Sequence, residues 1–266
     1  LGALLFAIEQ GAAWLTAHPK AADGLQASLL AGLATGLGAI PVLFLRRPQA
    51  SLMAPMLGLA GGMMLAASFF SLLVPAAGIV AASAAPLPLA ILTGGALLAG
   101  GALMRAMDHR FQHVHVESLD VGSATPRLAL VVVAIALHNL PEGLAVGVAA
   151  AAGADHGMTL GIALQNIPEG WIVASAMLAL GASPGRAALV ALATGLVEPL
   201  GGLVGVFAAT VAGTALPLAL AGAAGAMLWV VSHELIPASH RPGREAAGTA
   251  GLAAGFAVMT GLAVAF

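Results

Sequence analysis

Cysteine is absent from these 266 residues, aromatic side chains make up only 4% of them, and charge is scarce at 8%. Without cysteine there are no disulfides and no thiolate metal ligands. Soluble domains carry about 25% charged residues, so a water-facing surface is excluded for most of this chain. A net charge of −2 offers nothing to nucleic acid. What remains is 60% hydrophobic with a mean hydropathy of +1.02, rich in alanine and containing 35 glycines. Small residues at that density suit helices that pack closely in lipid. The class is an all-α membrane protein.

Crossing the hydrocarbon takes about 20 apolar residues. On that ruler the sequence predicts eight transmembrane helices near 26–45, 53–75, 87–107, 127–151, 157–180, 187–212, 215–237 and 246–266. Residues 1–25 read as part of an additional N-terminal span that starts before Leu1, and 26–266 as the transmembrane domain proper. Arg46 and Arg47 follow span one; Arg105, Arg110 and Arg127 flank the loop after span three. Arg186 follows span five, and Arg241 and Arg244 follow span seven. Every arginine therefore falls in an odd-numbered loop. The positive-inside bias makes those loops cytoplasmic and puts the C-terminus outside.

Inside this apolar sequence one polar phrase occurs twice. IALHNLPEGLAV (135–146) returns 27 residues later as IALQNIPEGWIV (162–173), with eight of twelve positions identical. An ionisable group in a span costs at least about 2.5 kcal/mol, which makes Glu142 and Glu169 functional candidates by default. Successive spans run in opposite directions, so the two copies can face each other near mid-membrane. At about 100° per residue, Glu142 falls angularly between His138 and Asn139, and Glu169 between Gln165 and Asn166. Two facing helices of this kind offer two adjacent cation sites that share both glutamates. One is bounded by His138 and Gln165, the other by Asn139 and Asn166. Pro141 and Pro168 each remove a backbone donor, freeing the carbonyls of Leu137 and Leu164. Broken helices at the midplane are a recurrent way to build ion sites.

Other spans add candidates. Glu198 on span six supplies a third carboxylate to the asparagine-side site. His233 and Glu234, near the cytoplasmic end of span seven, read as a relay or exit rather than as part of the centre. Met64 on span two either packs in the core or offers a thioether to a soft cation. The loop 108–126 holds Asp108, His109, His113, His115 and Glu117, either simply solvated or weakly metal-binding. Carboxylate, amide and a single imidazole suit a borderline divalent ion such as Zn²⁺, Fe²⁺ or Mn²⁺, with Cd²⁺ as a mimic. A donor set this mixed suits an ion in transit better than a permanent structural zinc.

HNLPEG on span four followed by QNIPEG on span five resembles the ZIP (Zrt/Irt-like) family of divalent-metal transporters, in its GufA-like branch. GGMMLAASFFSLLVP on span two, GLVEPLGG on span six and VVSHELIP on span seven extend the resemblance through most of the chain. Many members carry His and Glu where this chain has Gln165 and Asn166. The resemblance implies transport of Zn²⁺, Fe²⁺, Mn²⁺ or Cd²⁺ toward the cytoplasm, with the metal as cargo and no cofactor. It implies one metal at Met64, His138, Glu142, Gln165 and Glu169, and another at Asn139, Glu142, Asn166, Glu169 and Glu198. It places Asp108 on the release path, expects a homodimer in a bacterial cytoplasmic membrane, and sets spans two, four, five and seven moving against one, three, six and eight.

Two other functions compete. An intramembrane metalloprotease needs H-E-x-x-H, but HELIP has Pro237 where the second histidine would stand. A proton-coupled carrier of another, organic cation needs aromatic surface that these spans hardly possess.

Overall fold

The computed structural model describes residues 13, 15–44, 50–111, 124–153, 155–211 and 215–265. Among them no strand occurs. α1 is Pro19–Ala39, tightening into a 3₁₀ turn over Ile40–Phe44. α2 runs Ala50–Ala66, π-helically through Ala67–Leu73, then Val74–Ala81. α3 is Pro86–Phe111, α4 Ala124–Ala152 and α5 Asp155–Ala179. α6 is broken into Pro184–Gly195 and Glu198–Val211. α7 runs Leu216–Val230, π-helically through Val231–Leu235, then Ile236–Ser239; α8 is Glu245–Ala265.

Among the described residues, six helices are long and apolar enough to cross a membrane. Several boundaries differ from the sequence reading. Residues 19–25, expected to end an extra span, belong to α1; residues 1–12 lie outside the described residues. The ends of the expected loop 108–126 are helical, up to Phe111 and again from Ala124.

Helix irregularity is also placed differently. α4 and α5 stay helical through Pro141 and Pro168, without the break expected there. The interruptions fall elsewhere. α6 stops at Gly195, and a new helix starts at Glu198 with Pro199 in its first turn, a position where the missing N–H costs nothing. In α2 and α7 a π-helical turn precedes Pro75 and Pro237. There the Val74 N–H reaches back to the Phe69 carbonyl and that of Ile236 to Val231. Widening the turn relieves the clash between the proline ring and the turn before it.

Packing sorts the helices into two layers. α1 lies along α5 and α4 along the second half of α6, with α1 also touching α4 and α6. α2 lies along α8, and α3 along α7. All four of these intimate pairs straddle the division of spans two, four, five and seven from one, three, six and eight. The structure therefore groups α1, α4, α5 and α6 against α2, α3, α7 and α8. The reason is backbone contact: at each pair glycines let one helix rest on the other's carbonyls.

Candidate metal site

Both copies of the polar phrase face inward. Asn139 and Glu142 on α4, Gln165 and Asn166 on α5 and Glu198 on α6 are wholly buried. Glu169 is partly buried at the residue level, but its Oε1 is not exposed. The shared glycine of each phrase explains how the helices come so close. A Cβ on Gly143 would run into the carbonyl of Glu198, and one on Gly170 into the carbonyl of Thr35. The first glycine seats α4 on α6 beside a site carboxylate; the second seats α5 on α1.

Two amide–carboxylate pairs organise the centre. Gln165 Nε2 donates to Glu142 Oε1 at 2.7 Å. Asn166 Nδ2 donates to Glu198 Oε1 at 2.6 Å and to the Ala31 carbonyl at 2.8 Å. The second pair fixes its amide orientation, since an oxygen at that point would face two acceptors with no proton between them. Each pair leaves its other oxygens unused. Glu142 Oε2, Gln165 Oε1, Asn166 Oδ1 and Glu198 Oε2 are buried without a partner, as are Glu169 Oε1 and both polar atoms of the Asn139 side chain.

Buried acceptors are ordinarily paired, and each that is not costs about 1–3 kcal/mol. Six such oxygens on three neighbouring helices are what a dehydrated cation would repay by coordination. Among the described residues no three His, Asp or Glu side chains gather closely enough to hold a metal ion. Amide oxygens must complete any coordination shell here.

The remaining candidates are scattered. His138 Nε2 lies 3.0 Å from Glu234 Oε1 of α7, the two side chains 12% and 32% exposed. Glu234 thus meets the histidine of the first copy of the repeat rather than standing apart at the cytoplasmic end, as its position in the sequence suggested. Its neighbour His233 stacks on Trp229, ring centroids 4.9 Å apart. Met64 is 2% exposed in the core cluster that also holds Met63, Ala145, Met227 and Val231. His109 is exposed in the last turns of α3, where Asp108 also sits with its side chain outside the described part. His113, His115 and Glu117 lie outside the described residues.

Sequence reasoning missed the contribution of α1. The Ala31 carbonyl holds Asn166, and nothing in an apolar helix announces a backbone acceptor. It also missed the two glycines, although their recurrence in both copies was a signal in plain view.

The ZIP Zinc transporter family model matches residues 108–263. The zinc transporter GufA of Myxococcus xanthus is 46% identical over 240 residues, 88% of this chain and 94% of that protein. The zinc transporter ZIPB of Bordetella bronchiseptica is 45% identical over 235 residues, 85% of this chain and 75% of that protein. Human zinc transporter ZIP11 is 41% identical over 152 residues, 54% of this chain and 44% of that protein. With paired amides and carboxylates facing one another on α4, α5 and α6, the chain belongs to the ZIP zinc transporter family, where it is GufA-like.

Proposed function

We propose that this chain carries divalent transition-metal ions, zinc foremost, toward the cytoplasm through the polar centre formed by α4, α5 and α6. The observation that carries the reading is the set of six buried, unpartnered oxygens contributed by both copies of the repeat and by Glu198. Family membership supports transport of a metal ion and sets aside the enzyme alternative. Relatives named as zinc transporters support zinc as the cargo.

In this reading α1–α8 each cross the membrane, with the C-terminus outside, and the setting is a bacterial cytoplasmic membrane. The arginine distribution supports that orientation. Two metal positions share Glu142 and Glu169, and binding draws each position's three His and Glu side chains closer together than they stand in this structure. The first adds His138, Gln165 and Met64; the second adds Asn139, Asn166 and Glu198. The separate amide–carboxylate pairs at Gln165–Glu142 and Asn166–Glu198 support two positions rather than one. The oxygen-rich donor set suits Mn²⁺ and Fe²⁺ as further cargo, with Cd²⁺ as a mimic. Asp108, His109, His113, His115 and His233 belong to the release side, and the functional unit is a homodimer.

The test is radiolabelled Zn²⁺ uptake into proteoliposomes by the wild type and by a Glu142→Ala, Glu169→Ala double variant. Loss of uptake in a variant that still elutes and melts like the wild type supports the reading. Equal uptake would place the ion path elsewhere.

A further inference from the structure

Hydroxyls on these helices share a habit that Thr35 breaks. Ser28, Ser68, Thr93 and Thr210 each donate to the carbonyl four residues back, at 2.7–2.8 Å. Thr35 Oγ1 is wholly buried and has no partner. The carbonyl four residues before it is that of Ala31, the one Asn166 occupies. The carbonyl three residues before it, Gly32, is pressed against Gly195. Thr159 and Ser175 also lack partners. Thr35 differs in that the acceptor it would take is held by a residue of the ion site.

We propose that Thr35 is a positioning residue of that site, a replacement donor that takes the Ala31 carbonyl when a cation draws the Asn166 amide away. The inference rests on the metal-transport reading. In this structure the Asn166 amide spends both hydrogens, on Ala31 and on Glu198 Oε1. A cation that engages Glu198 through both oxygens pulls Oε1, and the amide with it, off the α1 carbonyl. That leaves a buried lone pair without a donor, next to a buried hydroxyl without an acceptor. Gly195 leaves the hydroxyl room to turn, for a Cβ there would meet Thr35 Oγ1 at 2.7 Å. Thr35 is then unsatisfied while the amide holds the carbonyl, as here, and satisfied once a cation has drawn the amide away. A group with that difference shifts the equilibrium toward the bound state.

The experiment is Zn²⁺ titration calorimetry and thermal melting of the purified full chain in detergent, for wild type, Thr35→Val and Thr35→Ser. The Thr35→Val change is repeated in an Asn166→Ala background. Thr35→Val keeps the shape and removes the hydroxyl. It is expected to raise the Zn²⁺ dissociation constant about fivefold, the effect of one buried hydrogen bond, without lowering the melting temperature of the ion-free protein. Thr35→Ser restores the wild-type value, and Thr35→Val leaves the Zn²⁺ dissociation constant unchanged where Asn166 is already Ala. The inference is overturned if Thr35→Val binds like the wild type, if it melts lower without ion, or if it has the same effect in both backgrounds. A wild type that neither binds nor carries Zn²⁺ overturns the transport reading, and this inference with it. Wild-type binding beside an unchanged Thr35→Val overturns this inference alone.

Discussion

The two copies of one phrase, HNLPEG on α4 and QNIPEG on α5, do different jobs after folding. On α5 both amides turn inward to hold carboxylates: Gln165 on Glu142, Asn166 on Glu198. On α4 the histidine reaches outward to Glu234 in the other layer, while Asn139 is buried with no partner at all. The α5 copy orders the site's own anions. The α4 copy links the site to α7 and keeps an amide in reserve. A repeat thus supplies matched side chains, and the His/Gln difference together with the helices packed around each copy separates what the two halves hold.

That contrast can be broken in several places. The largest effect is expected at the residue both copies keep. Glu142→Ala or Glu169→Ala should each lower Zn²⁺ uptake by at least about a hundredfold, beyond what removal of an outer partner costs. Initial-rate uptake in proteoliposomes checks it, and a loss confined to one glutamate would show that the carboxylates are not shared.

Next comes the position where the copies differ. His138→Gln removes their one difference in polar side chains. Imidazole suits zinc, whereas carboxylate and amide oxygens suit manganese, so the variant should lose about tenfold in Zn²⁺ affinity and little in Mn²⁺ affinity. Parallel competition titrations read the ratio; an equal loss for both metals would mean that His138 acts only through its contact with Glu234.

The asparagines give a smaller and opposite pair of effects. Asn166→Ala frees the Ala31 carbonyl for Thr35 but leaves the buried Glu198 Oε1 without its donor, and should cost about 1–3 kcal/mol of stability without ion. Asn139→Ala removes an amide that makes no bond, so the ion-free protein should melt unchanged while Zn²⁺ binding weakens. Melting curves with and without Zn²⁺ separate the two.

How much of this was legible beforehand follows from the same residues. The all-helical membrane class and the buried polar residues of the repeat were legible from composition and from the repeat, because burying charge in a span is costly enough to mark itself. The positions of the irregular turns did not. Pro141 and Pro168 looked like breaks, yet α4 and α5 absorb them, while α6 breaks ahead of Glu198 and the π-helical turns precede Pro75 and Pro237. Proline removes one hydrogen bond wherever it stands; whether the helix breaks, widens or continues is decided by the neighbours packed against it. The two-layer grouping was equally hidden, since glycine positions do not say which helix will rest on them. Glu234 was misplaced for a related reason: distance along the chain from the end of a span does not reveal which side chain of another helix it meets.

Glycine gives the smallest-scale version of the comparison. Gly143→Ala and Gly170→Ala each push a methyl group into a carbonyl and should cost about 1–3 kcal/mol in overpacking. Only Gly143 sits on the backbone of Glu198 itself. Its variant should therefore lose Zn²⁺ affinity as well as stability, while Gly170→Ala loses mainly stability; titration beside melting distinguishes them.

The most direct measurement is anomalous diffraction from crystals of the full chain grown with Zn²⁺ or Cd²⁺. The account predicts metal density within coordination distance of Glu142 Oε2 and Gln165 Oε1, and again beside Asn166 Oδ1 and Glu198 Oε2. Metal density only at exposed histidines such as His109, with the oxygens of the two repeats unoccupied, would contradict it.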